Sequence, residues 1–214
     1  WGAFEQAGAS LTLFADRQTE RTIFGWEMPA SYFQSVNPLA VISLAPIMTI
    51  VWGFLYARKL EPSSPKKMAI GLGLVALGYV VIAIAVKGLG EKVSMWWLFG
   101  LYVIHTMGEL CLSPIGLSMV SKLAPLRLSS LMMGTWFLAN AAANKFAGTL
   151  SALIPGGEDG TGGATSFIGF QITNLYEFFI LFIIMSGAAA AILFVLSSWL
   201  EKRMHNDHIE GQTE

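Results

Sequence analysis

The sequence is poor in cysteine and in net charge. Cys111 is the only cysteine in 214 residues, and it lies in an apolar stretch typical of a small core residue, so no intrachain disulfide is expected. Lys and Arg number 13 and Asp and Glu number 14, which gives a formal net charge of −1. No excess of positive charge is therefore available to neutralise phosphates, and the composition argues against a nucleic-acid partner.

Charged residues are also scarce, at 13% of the chain, whereas hydrophobic residues make up 54%. A helix of ~20 apolar residues crosses the hydrocarbon core of a bilayer. The sequence predicts an all-α, polytopic membrane protein in which one six-helix bundle occupies residues 1–200. The six predicted spans run roughly over 1–15, 32–57, 68–86, 95–123, 129–153 and 176–200.

The loops between these spans predict an orientation. Short cytoplasmic loops of membrane proteins are enriched in Lys and Arg, and basic residues predominate at one set of helix ends: Arg58, Lys59, Lys66, Lys67, Lys122, Arg127, Lys202 and Arg203. We expect that side to be cytoplasmic, with residues 201–214 as a cytoplasmic tail. The glycine-rich stretch 154–174 predicts a flexible outer loop. The chain begins at Trp1 without a charged flank, and we expect it to be part of a longer protein.

Glu109 is a carboxylate within the apolar stretch 101–118. An ionisable group at membrane depth costs at least ~2.5 kcal/mol, so it is by default a hypothesis for an ion or substrate pathway. Pro114 deprives the Leu110 carbonyl of its helical donor, which predicts a bent or opened helix near the carboxylate. We therefore expect Glu109 to face a polar cavity.

The carboxylates at membrane depth outnumber the cations. Glu5 and Glu109 lie in apolar spans, and Lys145 is the one plausible cation at a similar depth. Buried charges need partners or they neutralise. The hypothesis is that basic side chains of a missing partner half face both carboxylates, and that each carboxylate changes protonation when its partner leaves.

Metal binding and hydrolysis are poorly supported. His105 and Glu109 are four residues apart on one helix face, but that face carries no second histidine and the sequence shows no Cys/His cluster, so no metal site is predicted. Ser113 and His105 are about two helical turns apart, beyond hydrogen-bond reach, and the chain is predicted not to be an enzyme. His105 is expected to be a satisfied polar residue between helices, with proton relay as the alternative.

Three further residues have two interpretations each. Ser113 either lines the cavity of Glu109 or bonds back to its own helix. Asn37, next to Pro38, either contacts a ligand or repairs a weakened helix backbone. Trp136 either walls a cavity or takes part in ordinary helix packing.

Four motifs follow one another along the chain, each in a different predicted span: WGAFEQAGASL at 1–11, FQSVNP at 33–38, GELCLSPIGLS at 108–118 and GTWFLAN at 134–140. Together they resemble the C-terminal half of a bacterial proton-dependent oligopeptide transporter of the major facilitator superfamily. The resemblance implies that the six spans are helices seven to twelve of a twelve-helix transporter, whose two halves rock about a midplane site.

The resemblance also implies roles for individual residues. Glu109 would bind the amino terminus of the peptide and take part in proton coupling, with Asn37 as a second ligand of that ammonium. Glu5 would form an ion pair with a basic residue on the first helix of the other half. Asp16 is a possible extracellular gate residue. The remaining residues implied to line the substrate site are Trp1, Trp136 and Ser113.

The function implied is proton-coupled symport of di- and tripeptides by alternating access. Protons would be the coupling ion, and no cofactor is expected. The expected partners are the peptides, an N-terminal six-helix half and the lipid bilayer, in a bacterial inner membrane. The alternatives are a transporter of nitrate or another small organic solute, and a peptide sensor that does not transport.

Overall fold

The chain folds as a bundle of α-helices joined by short strand pairs. A computed structural model describes residues 1–87, 92–155, 165–167 and 169–210. Within these ranges the α-helices are α1 (Ser10–Gln18), α2 (Val36–Ala57), α3 (Ser64–Lys87), α4 (Met95–Leu123), α5 (Ser129–Ser151) and α6 (Leu175–Glu210). Two 3-10 helices, Phe4–Gly8 and Ala30–Ser35, precede α1 and α2.

Short strands that the apolar pattern did not predict connect the helices at one end of the bundle. β1 (Thr19–Glu20) pairs in parallel with β4 (Val93–Ser94). β2 (Thr22–Ile23) and β3 (Trp26–Glu27) form a hairpin whose turn residues, Phe24 and Gly25, have φ angles of 48° and 82°. Positive φ at both central residues is the requirement of a type I′ turn. The last pair, β5 (Thr165–Phe167) and β6 (Phe170–Ile172), is antiparallel.

Four helical segments in the described residues are long and apolar enough to cross a membrane: Ala30–Ala57, Ser64–Lys87, Met95–Leu123 and Leu175–Glu201. They correspond to four of the predicted spans. The fifth prediction, 129–153, coincides with α5, a helix that carries Asn140, Asn144 and Lys145 and is therefore less apolar.

The structure differs from the predicted boundaries at both ends of the chain. In place of one span over 1–15 there are two helical pieces. The 3-10 helix Phe4–Gly8 is followed by its C-cap residue Ala9, and α1 then runs from Ser10 to Gln18. α6 extends through most of the predicted tail, to Glu210, and 211–214 lie outside the described residues. Within the predicted outer loop 154–174, residues 156–164 and 168 also lie outside them.

The centre of the bundle is α3, which packs against both α4 and α6. Gly71 and Gly108 let the backbones of α3 and α4 meet: a Cβ added to Gly71 would lie 2.7 Å from the Gly108 carbonyl oxygen, and one added to Gly108 would lie 2.8 Å from that of Gly71. Small residues at such crossings are typical of helices packed in membranes. No larger residue fits at either position without moving a helix.

Aromatic side chains fill the contact between α3 and α6. Tyr79 stacks on Phe182 with ring centroids 4.9 Å apart, and Phe179 contacts Phe14 of α1 edge-on at 5.3 Å. All four side chains are fully buried. Such pairs contribute about 0.5–1.5 kcal/mol each beyond their buried area, so this cluster holds α1, α3 and α6 together.

Polar contacts join the α2–α3 connection to α6. Lys66 forms an ion pair with Glu201 at 3.0 Å, and the Ser63 hydroxyl donates a hydrogen bond to the same carboxylate. Lys67 pairs with Glu61 and lies 4.7 Å from the centre of the Trp52 ring. The beginning of α3 and residue 201 of α6 therefore lie at the same end of the bundle.

The glycine contact between α3 and α4 leads to a stability prediction. Replacing Gly71 or Gly108 with Ala should lower the thermal unfolding midpoint in detergent, since overpacking costs about 1–3 kcal/mol. Gly73→Ala on the same helix is the matched control. It has open space around an added Cβ, and we expect no loss there because Ala favours a helix by ~1 kcal/mol over Gly. Equal midpoints for all three variants would contradict the close approach.

Candidate functional site

Glu109 is bonded to an amide from a different helix. Asn37, in the first turn of α2, donates one hydrogen bond from Nδ2 to Glu109 Oε2 at 2.9 Å and another to Thr106 Oγ1 at 3.2 Å. Neither Asn37 nor Glu109 is fully buried. Within the described residues, the Glu109 carboxylate has no ion pair and Asn37 Oδ1 has no hydrogen bond. Two oxygen acceptors thus remain free to bind a cation with several N–H donors.

α4 supports this pair without a break. The helix is continuous from Met95 to Leu123 with Pro114 inside it, so the predicted opening of the helix is not observed. Thr106 lies one turn before Glu109 and donates to the Tyr102 carbonyl at 2.8 Å. Thr106 was not predicted as a site residue, although its i, i+3 spacing from Glu109 places it on the same helix face.

A cavity of about 180 Å³ contains Glu109 in its wall. The segment before α1 contributes Trp1 and Phe4 to it, and helices α3, α5 and α6 contribute Val75, Phe146 and Ser186. The lining is mainly apolar, with the carboxylate as its charged group. Phe146 and Ser186 were not predicted, because neither stands out from the apolar or small residues around it in the sequence.

Trp136 and Ser113 do not line the Glu109 cavity. The Trp136 ring packs against Gly116, and a Cβ added to Gly116 would overlap that ring. Trp136 also borders a separate apolar hollow of about 500 Å³ between the ends of α3, α4 and α5. The Ser113 hydroxyl is buried and has no hydrogen-bond partner among the described residues. The alternative interpretation of Ser113, a bond back to its own helix, is therefore not observed either.

Glu5 lies in the 3-10 helix Phe4–Gly8 and is partly buried. Its carboxylate forms no hydrogen bond or ion pair with the part of the chain that the structure describes. Lys145, the cation that sequence analysis considered, is exposed and pairs with neither Glu5 nor Glu109 among these residues. In the described residues, neither carboxylate is paired with a Lys or Arg side chain.

Asp16 is bound by an arginine that sequence analysis did not single out. Arg21 Nη2 lies 3.0 Å from Asp16 Oδ1 and 3.1 Å from Glu27 Oε1, and Nη1 donates to the Met28 carbonyl at 2.8 Å. The Arg21 side chain is only 10% exposed, whereas the two carboxylates are 61% and 68% exposed. Arg21 therefore anchors the end of α1 to the β2–β3 hairpin.

His105 packs between α3 and α4. Its Nε2 lies 3.1 Å from the Val75 carbonyl oxygen, its ring covers Gly78, and the Tyr79 ring centre is 4.8 Å away. Nδ1 is buried without a partner among the described residues. In those residues no group of three or more His, Cys, Asp or Glu side chains could hold a metal ion. The geometry is that of a packed interhelical residue with one hydrogen bond.

Comparisons with known proteins agree with one another. The family model PTR2, described as the POT family, matches residues 1–162. The peptide transporter YePEPT of Yersinia enterocolitica is 42% identical over 158 residues, which cover 72% of this chain and 31% of the relative. Dipeptide and tripeptide permease A of Chromobacterium violaceum is 29% identical over 214 residues, 96% of this chain and 41% of the relative.

Solved structures give the same result. A mutant of the peptide transporter POT in complex with alafosfalin matches with a TM-score of 0.78 and 32% identity, over 92% of this chain and 37% of that one. A POT family transporter in complex with 5-aminolevulinic acid matches with a TM-score of 0.75 and 32% identity, over 92% and 38%. The chain spans about a third of the length of the first of these relatives.

The arginine anchor leads to a salt-dependent prediction. Arg21→Met should lower the thermal unfolding midpoint at low ionic strength by the equivalent of about 1 kcal/mol, as expected for partly exposed ion pairs. In 1 M NaCl the difference from wild type should shrink, because salt screens exposed charges. Lys122→Met, which removes an exposed charge, is the control and should leave the midpoint unchanged. A difference that does not depend on salt would argue against the ion pairs.

Proposed function

The chain belongs to the POT family of multi-pass membrane transporters, and we propose that it supplies half of a proton-coupled symporter of di- and tripeptides. The observation that carries this proposal is the bond between Asn37 and Glu109 beside an apolar cavity. A carboxylate and a free amide oxygen suit the amino terminus of a peptide, whose ammonium group donates three hydrogen bonds. The names of the relatives, a peptide transporter and dipeptide and tripeptide permeases, favour the same class of substrate.

Size supports the proposal that another half completes the site. Small-molecule pockets usually enclose ≈ 300–1,000 Å³, whereas the cavity at Glu109 measures about 180 Å³. It has room for one end of a dipeptide. The carboxyl end of the substrate needs a cation, and we place that cation, together with a basic partner for Glu5, on an N-terminal six-helix half.

The apolar surface of α2 also fits this arrangement. The most apolar window of the segment Ala30–Ala57 has no buried residue, and Ile42 and Ile50 are 73% and 71% exposed. An apolar surface exposed along a whole helix marks contact with another protein surface or with lipid. We assign it to the bilayer and to the other half, whose movement against this bundle would give alternating access.

We further propose a bacterial inner membrane location with a cytoplasmic C-terminus. Lys66 and Glu201 meet at one end of the bundle, which puts the basic α2–α3 connection and the end of α6 on the same side. Basic loops favour the cytoplasmic side. Arg21, on the opposite side in this arrangement, is neutralised by two carboxylates and does not oppose that assignment.

Another small solute with an amino group is the second candidate. The relative solved with 5-aminolevulinic acid holds a molecule that carries an amino group and a carboxylate but no peptide bond. The acceptors at Glu109 and Asn37 recognise the ammonium in either case. Competition between dialanine and 5-aminolevulinic acid would show which of the two is bound more tightly.

The proposal is tested by uptake of labelled dialanine into proteoliposomes that contain the chain together with its N-terminal half, under an inward proton gradient. Wild type should accumulate the peptide, and Glu109→Gln should lose about 10- to 100-fold in uptake, because a hydrogen bond to a charged group contributes about 1.5–3 kcal/mol. Glu20→Gln makes the same change at an exposed carboxylate and should remain within about twofold of wild type. If correctly inserted wild type does not take up dialanine, the proposal of peptide transport is wrong.

Glu5 is expected to affect coupling. In Glu5→Gln the side chain no longer binds a proton, so uptake should no longer increase when the inward proton gradient is imposed. Initial rates with and without the gradient, in the same vesicles, measure this response. A variant as sensitive to the gradient as wild type would remove Glu5 from the coupling route.

A further inference from the structure

The backbone before α1 interrupts the regular helical hydrogen-bond pattern inside the bundle. The 3-10 helix Phe4–Gly8 is followed by Ala9, whose φ and ψ are −123° and −103°. α1 begins at the next residue, Ser10. A break between helical pieces leaves carbonyl groups without their helical donors. Away from water such groups need other partners. One such donor is local: the Thr12 hydroxyl of α1 donates to the Ala7 carbonyl at 2.8 Å.

Two tyrosines from other helices also donate to this segment, one to its N-cap residue Ala3 and one to Ala7, near the break. The Tyr79 hydroxyl of α3 donates to the Ala3 carbonyl at 2.5 Å, and the Tyr102 hydroxyl of α4 donates to the Ala7 carbonyl at 3.1 Å. Both residues are almost completely buried, at 0% and 2% exposure. The hydroxyls thus bind carbonyl groups four residues apart on the same segment.

Gln6 joins the same segment to a third helix. Its side chain is fully buried, and Nε2 donates to the Ala147 carbonyl of α5 at 3.1 Å and to the Gly2 carbonyl at 3.2 Å. Its Oε1 accepts a hydrogen bond from the Ser10 hydroxyl at 2.6 Å. Residues 1–9 are therefore attached to α3, α4 and α5 by side-chain hydrogen bonds.

The attached segment forms part of the wall of the Glu109 cavity, through Trp1, Gly2, Ala3 and Phe4. Ala3, the acceptor of the Tyr79 hydroxyl, is itself among these residues. A shift of the segment would move the Trp1 and Phe4 rings relative to the carboxylate. Tyr79 and Tyr102 themselves are not among the residues that line the cavity.

We propose that Tyr79 and Tyr102 are positioning residues for substrate: their hydroxyls hold the interrupted segment 1–9 in place and so fix the aromatic wall beside Glu109. The inference rests on the proposed function only in naming a peptide as the ligand. Hydrogen bonds made by side chains need not re-form when the segment moves, unlike those of a continuous helix. The two tyrosine hydroxyls are thus part of the attachment of the wall, beside Gln6, and each can be removed separately.

The test removes each hydroxyl and keeps each ring. Tyr79→Phe, Tyr102→Phe and the double variant are compared in the transporter with both halves present. The KM for dialanine should rise at least threefold in each single variant and further in the double variant, while the maximal rate per folded transporter stays within about twofold. Tyr56→Phe is the control, since Tyr56 is 73% exposed, and it should leave both parameters unchanged.

A spectroscopic measurement separates this inference from the proposed function. A nitroxide attached to Gly8→Cys, in a Cys111→Ala background, reports the mobility of the segment, and an added Cβ at Gly8 meets nothing within 4 Å. Tyr102→Phe should increase nitroxide mobility and Tyr56→Phe should not, whether or not dialanine is transported. If wild type does not take up dialanine but Tyr102→Phe still increases nitroxide mobility, peptide transport is overturned. The role of the tyrosine hydroxyl in holding the segment then still stands.

The inference is overturned if Tyr102→Phe leaves nitroxide mobility unchanged, or if mobility rises while KM for dialanine stays at the wild-type value. Tyr102→Phe is the deciding variant should Tyr79→Phe not be recovered folded, because the Tyr102 hydroxyl makes the longer of the two hydrogen bonds. A fall in the amount of folded protein with an unchanged KM would indicate a purely structural role and would likewise overturn the inference.

Discussion

The close contact between α3 and α4 is the constraint on which the described structure depends. Gly71 and Gly108 place each backbone against the carbonyl oxygen of the other, and helices in a membrane are held together by such packing and by interhelical hydrogen bonds. The contact brings the His105 ring to the Val75 carbonyl. It also sets Glu109, the neighbour of Gly108, beside a cavity that residues of α3 help to line.

The candidate site is assembled from several elements that are distant in the sequence. α4 provides the carboxylate and α2 provides the amide that binds it. The segment before α1 provides aromatic rings, and it is held by hydroxyl groups from α3 and α4. Because few polar groups lie in this apolar bundle, each of them contributes much to the geometry, and an unpaired one is costly.

Long helices were predictable because a run of apolar residues has few other stable arrangements in a bilayer. α2, α3 and α4 lie close to their predicted spans, whereas α6 continues beyond its predicted end to Glu210. Family membership is confirmed by the match over residues 1–162. The interruption at Ala9 was not predictable, since the apolar pattern of 1–15 is the same for a 3-10 and an α-helix. The strand pairs were missed because they contain only two or three residues each.

Among the site residues, the sequence by itself determined which charges lie in apolar surroundings: Glu5 and Glu109 were identified because a carboxylate there is rare and costly. Only the tertiary structure decided which side chains meet. It joined Asn37 to Glu109 and Arg21 to Asp16, and it put Trp136 at a different hollow. The physical reason is that composition fixes the cost of burying a group, whereas its partner depends on how the helices pack.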